Sequence, residues 1–433
     1  MFYILGSQIM RRALALDPIS PLLRSTRLSD SSNAPQRTRE IQSIDRTPAS
    51  QSRLASTPLD IAEPFMFSSN PYTAVSLYNS LLRSITALWL ISLAIVAQAQ
   101  STPTSYRLTP VPVLPGYTSG YPVGINDAGD VSGYCQPAVE GSYYEGFVFR
   151  NGVLSAVGKM PKKGNNSSAA YVSPTGVIVG SADTGDFRPQ GFVKTGANMI
   201  NVFPNKGGNT HALRIDAAGK VYGYFIGGRS AGWQGAVWTP TTRAGVYTQT
   251  ILPGAAMPVA FNALGQAAGY TNTSPQTATF WSHLGTRPIK VLPKLPTWGT
   301  SVAYGIADNA DVVGSAHPAF SSLPVIWRSS TGHLPELLPF LAGDNYGQAT
   351  AANQTGVIIG FGAFGQPGTW NIGPRHPVVW HGTIPHDLNS LLDPVTAAGW
   401  QIVSLVQVNN SGAILAAATF EGRQRAVVLT PIP

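Results

Sequence analysis

From about residue 105 onward, hydrophobic positions fall in short runs rich in Val, Ile, Ala, Phe and Trp, separated by clusters of Gly, Pro, Asn, Asp and Ser. That is the pattern of strands punctuated by turns, with no sustained helical period. Seven turns share one plan, first seen in Gly124-Ile125-Asn126-Asp127-Ala128-Gly129-Asp130-Val131-Ser132-Gly133. Counted at the fourth turn residue (Gly129, Gly176, Gly219, Gly265, Ala310, Gly356, Gly412), the steps are 47, 43, 46, 45, 46 and 56 residues. A spacing this regular marks a repeat array.

The turn has a local chemical explanation. Asn126, Ser173, Asp216, Asn262, Asn353 and Asn409 open six of the turns. Each can accept a hydrogen bond from backbone N–H two residues on, while Gly129, Gly176, Gly219, Gly265, Gly356 and Gly412 can take the left-handed conformation that ends the bend. The fifth unit has Ala307 and Ala310 in these slots, so its turn is expected to be the most altered. A second strand follows each turn. A third then comes after a variable loop, often ending in Trp (Trp238, Trp281, Trp327, Trp380), and a short fourth closes on an apolar-Pro pair. The pairs are Leu114-Pro115, Phe203-Pro204, Leu252-Pro253, Leu292-Pro293 and Leu338-Pro339, and proline suits a strand end or outer edge. Seven four-stranded units predict an all-β fold, a seven-bladed β-propeller over residues 100–433. A β-solenoid is the alternative, although its coils repeat with shorter periods.

Composition agrees with strands and turns: 45 Gly, 35 Pro, 43% hydrophobic and only 11% charged residues. The chain carries +8 overall, but from Gln100 on there are 19 Lys+Arg against 14 Asp+Glu, a scattered excess of +5 without a basic stripe. No nucleic-acid partner is therefore expected. The single cysteine, Cys135, excludes an intrachain disulfide and a thiolate metal cluster, and reads as a strand residue packed in a blade.

The first hundred residues read differently. Residues 1–65 are rich in Arg, Ser, Thr and Pro and are expected to be a disordered extension, with Met66 the true start and an organelle transit peptide the competing reading. Residues 66–99 carry Arg83, an apolar run and the small-x-small site Ala97-Gln98-Ala99, the marks of a signal peptide cleaved near Ala99. The run is shorter than a membrane span needs. Secretion to the periplasm or medium follows, with no stable span after cleavage.

The repeat resembles the bacterial extracellular repeat proteins of the HAF family, whose unit runs Ile-Asn-x-x-Gly-x-Val-Val-Gly and then His-Ala-Phe-x-Trp. The likeness spans about 105–433 and is most specific at Asp387-Leu388-Asn389-Ser390-Leu391-Leu392, Gly399-Trp400 and Asn409-Asn410-Ser411-Gly412. The chain departs from the pattern: no unit keeps the His-Ala-Phe triplet, and Lys194 takes the Trp slot of the second unit. The resemblance implies export and a repeat β fold for a divergent member. It supplies no catalytic residues.

Function is therefore sought in what interrupts the repeat. Residues 361–376 replace a shorter loop of other units, and Trp370, Arg375 and His376 within them are the candidate surface site. His376, His381 and His386 recur every five residues, which alternates faces on a strand, so no metal site and no cofactor are expected. Asp127, Asp216 and Asp308 lie in turns, where bonds to backbone account for them. The expectation is a monomeric, non-catalytic propeller that binds a protein or polysaccharide. The alternative is a propeller hydrolase or lyase acting on extracellular polysaccharide, which would require two or more of Asp183, Asp186, Asp344 and Glu336 to converge.

Overall fold

Each repeated turn joins the first two strands of one blade. The computed structural model describes residues 105–432 apart from 140–141, 161–163, 185–187, 204–207, 228–232, 253–255 and 285–288. These residues form seven four-stranded antiparallel sheets, the blades of a seven-bladed β-propeller. Blade 3 is representative, with strands Gly208–Ile215, Val221–Gly227, Trp233–Pro240 and Tyr247–Ile251 in that order. At six of the seven junctions the first strands of neighbouring blades touch, so the first strands line the inside of the ring. The predicted extension 1–65 and signal segment 66–99 lie outside the described residues.

Blade 7 closes the ring and corrects the phase of the repeat. It is built from Trp400–Val408, Ile414–Phe420 and Arg423–Ile432, and its fourth strand is Ser105–Pro110 from the other end of the domain. Ser105 pairs with Ile432 and Pro110 with Val427. The apolar-Pro pair of that strand is accordingly Val111-Pro112, and Leu114-Pro115 lies in the loop beyond it; in blade 2 the buried residue ending the fourth strand is Val202 rather than Phe203. Where the pairs hold, proline does more than end a strand. Trp327 and Trp380 donate their Nε1–H to the carbonyls of Pro293 and Pro339, each in the preceding blade, at 2.8 Å.

The core lies between blades. Seven buried clusters are found among the described residues, one at each junction; Val148, Val157, Met160, Ala169, Val172, Ala182 and Phe192, for example, join blades 1 and 2. Successive residues of a strand face opposite neighbours, so both sides of a blade must be apolar. Trp238, Trp281, Trp327 and Trp380 are fully buried in these junctions. Each withdraws on the order of 200 Å² from water, roughly 5 kcal/mol at 25 cal/mol/Å². Cys135 sits in the junction of blades 7 and 1, where burial pushes its thiol pKa up.

All seven turns keep one geometry, including the fifth. The N–H of the fourth residue donates to the carbonyl of the first at 2.9–3.3 Å, from Gly176 to Ser173 and from Gly265 to Asn262 as from Ala310 to Ala307. The side-chain bond expected two residues on forms from Asn262 and Asn353 at 3.1 Å, while in every polar case the side chain accepts from the N–H four residues on, as in Asp130 N–H to Asn126 Oδ1 and Lys220 N–H to Asp216 Oδ1, both at 2.9 Å. The fifth turn keeps the backbone bond, which was not expected, while Ala307 offers no side-chain bond like that of the other six. Ala310 takes φ +66°, and the carboxylate of the following Asp311 receives N–H from Ser329 at 2.8 Å and ties the turn to its own blade. A left-handed alanine costs about 1–2 kcal/mol, partly offset by the greater freedom of glycine in the unfolded chain. Ala310→Gly is expected to stabilise the domain by about 1 kcal/mol, read as a rise in urea midpoint; an unchanged or lower midpoint would contradict the strain.

Asparagine also locks blades together. Asn126, Asn262, Asn353 and Asn409 donate Nδ2–H to carbonyls of Val172, Ala307, Asn409 and Asn126, in each case in the next blade, at 2.9–3.2 Å. Asp216 has no such donor to offer, and its second oxygen accepts from Tyr222 Oη–H at 2.6 Å.

Candidate functional site

Strand direction divides the ring into two faces. One carries the seven turns; the opposite one carries the loops between second and third strands and those that lead to the next blade. The interruption of the repeat is on the loop face, and its first three residues belong to the strand Val357–Ala363. What remains, 364–375, is an ordered hairpin. Gln366-Pro367-Gly368-Thr369 makes its bend, with Thr369 N–H on Gln366 O at 3.2 Å and Gly368 at φ +73°. Gly365 bridges Ile372, and Asn345 clasps Gly365 through both N–H and carbonyl.

The three predicted site residues divide between tip and base. Trp370 follows the bend and is 53% exposed, its ring 5.4 Å from that of Phe320 at 58°. Phe320 belongs to the corresponding loop of blade 5 and is 47% exposed. It also has φ +56°, a left-handed conformation that a bulky residue adopts only at a cost of about 1–3 kcal/mol. At the base, the Arg375 guanidinium lies 4.3 Å from the centre of the Phe361 ring. His376 Nδ1 stands 3.3 Å from Asp344 Oδ1, whose carboxyl is only 3% exposed. Phe320 and the exposed Phe364 were not expected from the sequence. Phe320 sits in a loop of ordinary length, and its backbone angle leaves no sequence signal.

The acids that would make a hydrolase are apart. Asp183 is buried in blade 2, accepting from Asn165 N–H, Asn166 N–H and Asn166 Nδ2–H at 2.6–3.1 Å. Asp344 serves His376, and Glu336 pairs with Arg328 at 2.7 Å on the rim of blade 5. Asp186 lies outside the described residues. A Ser–His pair does occur, with Ser315 Oγ 2.8 Å from His317 Nε2, but Ser315 has no exposed surface from which to attack a substrate.

His381 and His386 lie on paired strands with rings 5.6 Å apart, while His376 is at the far end of its strand beside Asp344. Among the described residues no group of three side chains could hold a metal ion. On the turn face, Asp127 and Asp308 occupy second turn positions and accept backbone N–H, from Asn410 at 2.9 Å and from Ala263 at 2.8 Å, in other blades rather than in their own turns. Asn410 Nδ2–H donates to Asp127 at 3.0 Å and to Asp308 at 2.7 Å. These bonds tie the turns of blades 1, 4, 5 and 7 together. Among the described residues no helix is long and apolar enough to cross a membrane.

No protein-family model and no curated protein matches the chain. Solved structures do. An acylaminoacyl peptidase of Pyrococcus horikoshii is 11% identical with a TM-score of 0.43; the match covers 72% of this chain, which spans about half (52%) of the peptidase. The β-propeller domain of the Trilobed protease from Pyrococcus furiosus is 10% identical over 76% of this chain and 94% of its own, with a TM-score of 0.44. YCF48 bound to D1 peptide is 11% identical over 77% and 96%, with a TM-score of 0.46. The seven sheets and their closure by the first strand make the chain a seven-bladed β-propeller.

Proposed function

We propose that this chain is an exported, non-catalytic β-propeller, a divergent relative of the HAF repeat proteins, that holds an extracellular partner on its loop face at the Trp370–Phe320 step. One observation carries the reading: ordered loops of two blades present two large aromatic rings side by side, half exposed, one of them on strained backbone. Left-handed strain at Phe320 costs stability and the half-exposed rings recover little of it through burial, which supports a binding role.

Trp370→Ala tests this. Purified wild-type and variant chains are passed over bacterial cell-envelope material, and retention and tryptophan fluorescence are compared. Loss of one stacking ring is worth roughly 1.5 kcal/mol, so retention is expected to fall about tenfold, with the wild-type-minus-variant emission shifting to the blue on binding. Equal retention with no difference signal would remove the site. Export is tested separately by fractionating the producing cells and sequencing the amino terminus of the exported chain, which is expected to be Gln100 after cleavage at Ala99.

A further inference from the structure

We infer that the occupant of the Trp370–Phe320 step is an uncharged saccharide chain, an assignment that rests on the docking role proposed above. Two features of the hairpin specify it. Its ionisable groups stand at the base, Arg375 over Phe361 and His376 beside Asp344, and the tip segment 364–371 carries no charged side chain. The exposed polar groups beside Trp370 are neutral: Asn371 Nδ2–H donates to Gln366 Oε1 at 3.3 Å, which leaves Gln366 Nε2 as donor and Asn371 Oδ1 as acceptor without partners among the described residues. A donor and an acceptor on adjacent amides match the hydroxyls of a sugar, and the C–H faces of a pyranose pack on aromatic rings. Phe320 and Trp370, drawn from two blades, present the ring surface on which a pyranose face packs.

Other occupants fit less well. A membrane wedge would need an apolar tip, and this tip is Gln366-Pro367-Gly368-Thr369. A phosphorylated or acidic polymer would need an unengaged cation at the tip.

The test uses the purified chain from Gln100 with three variants, Trp370→Ala, Phe320→Ala and Gln366→Ala, and Leu264→Ala as control, since Leu264 is 67% exposed on the turn face. Each is passed over bacterial envelope material that is untreated, oxidised with periodate to destroy vicinal diols, or digested with proteinase K, and over immobilised amylose, xylan, mannan and β-glucan. The expected result is wild-type retention that periodate abolishes and proteinase K leaves intact. The two ring variants should each be retained about tenfold less and Gln366→Ala about threefold less, with the control unchanged. Retention lost to proteinase K but not to periodate would overturn the saccharide assignment and leave the docking role standing, as would retention that survives both treatments and transfers to lipid vesicles. If wild-type chain is not retained on any of these materials, or Trp370→Ala matches it throughout, the docking role itself falls.

Discussion

Gly223→Ala is expected to cost the ring about 3 kcal/mol or to prevent its closure, an effect larger than one methyl group suggests. A Cβ at Gly223 would overlap the carbonyl oxygen of His211, which is backbone and cannot swing aside. The cause is a bulge shared by every first strand. One extra residue (Val123, Ala170, Leu213, Val259, Tyr304, Thr350, and Val406 in blade 7) shifts the register three positions before the turn. In six blades the carbonyl two residues before the bulge then fills the space above Gly133, Gly180, Gly223, Gly269, Gly314 or Gly360. Blade 7 provides the control. It has Ala416 at this position, and its first strand carries a second register shift, between Ile402 and Ser404, that no other blade has. Gly223→Ala should therefore lower the urea midpoint steeply, while Ala416→Gly should change stability by no more than about 1 kcal/mol. Equal midpoints for wild type and Gly223→Ala would refute the overlap.

These glycines mark the boundary of what the sequence discloses. Their recurrence is plain in the repeat, but their cause is a carbonyl on the partner strand, visible only once the bulge is known. The turn was legible because its chemistry is local: Asn126, Gly129 and Asp130 lie within five residues and explain one another. The preference for asparagine over aspartate was only half legible, since the second bond of Asn353 ends on a carbonyl 56 residues away and that of Asn409 one 283 residues away. Closure by Ser105–Pro110 escaped for the same reason. Nothing near that strand shows that its partner is Arg423–Ile432. At the site, Trp370 was legible because it lengthens a repeat, whereas Phe320 does not.

Acid should weaken the ring well above the range where carboxylates titrate. His211 is buried beside Tyr224 and Trp233, with ring centres 4.8 and 6.0 Å away, and burial pushes its pKa down to about 4. In the unfolded chain the same imidazole takes up a proton near pH 6.5. Between these values the unfolded state binds more protons than the folded one, so stability is full above pH 6.5, falls as pH drops toward 4, and levels off below. Some 2.5 pH units at 1.36 kcal/mol each give a loss of about 3 kcal/mol from this residue. Burial lowers the pKa of His317, His333 and His381 as well, which adds loss of the same sign. Urea midpoints measured from pH 7.5 to 4 should therefore decline, and His211→Phe, which keeps a ring in the site and removes the titration, should take away the largest single share of that decline. A wild-type midpoint that stays level across this window, or a His211→Phe variant with the full wild-type slope, would show that the buried imidazole is not what makes the ring acid-labile.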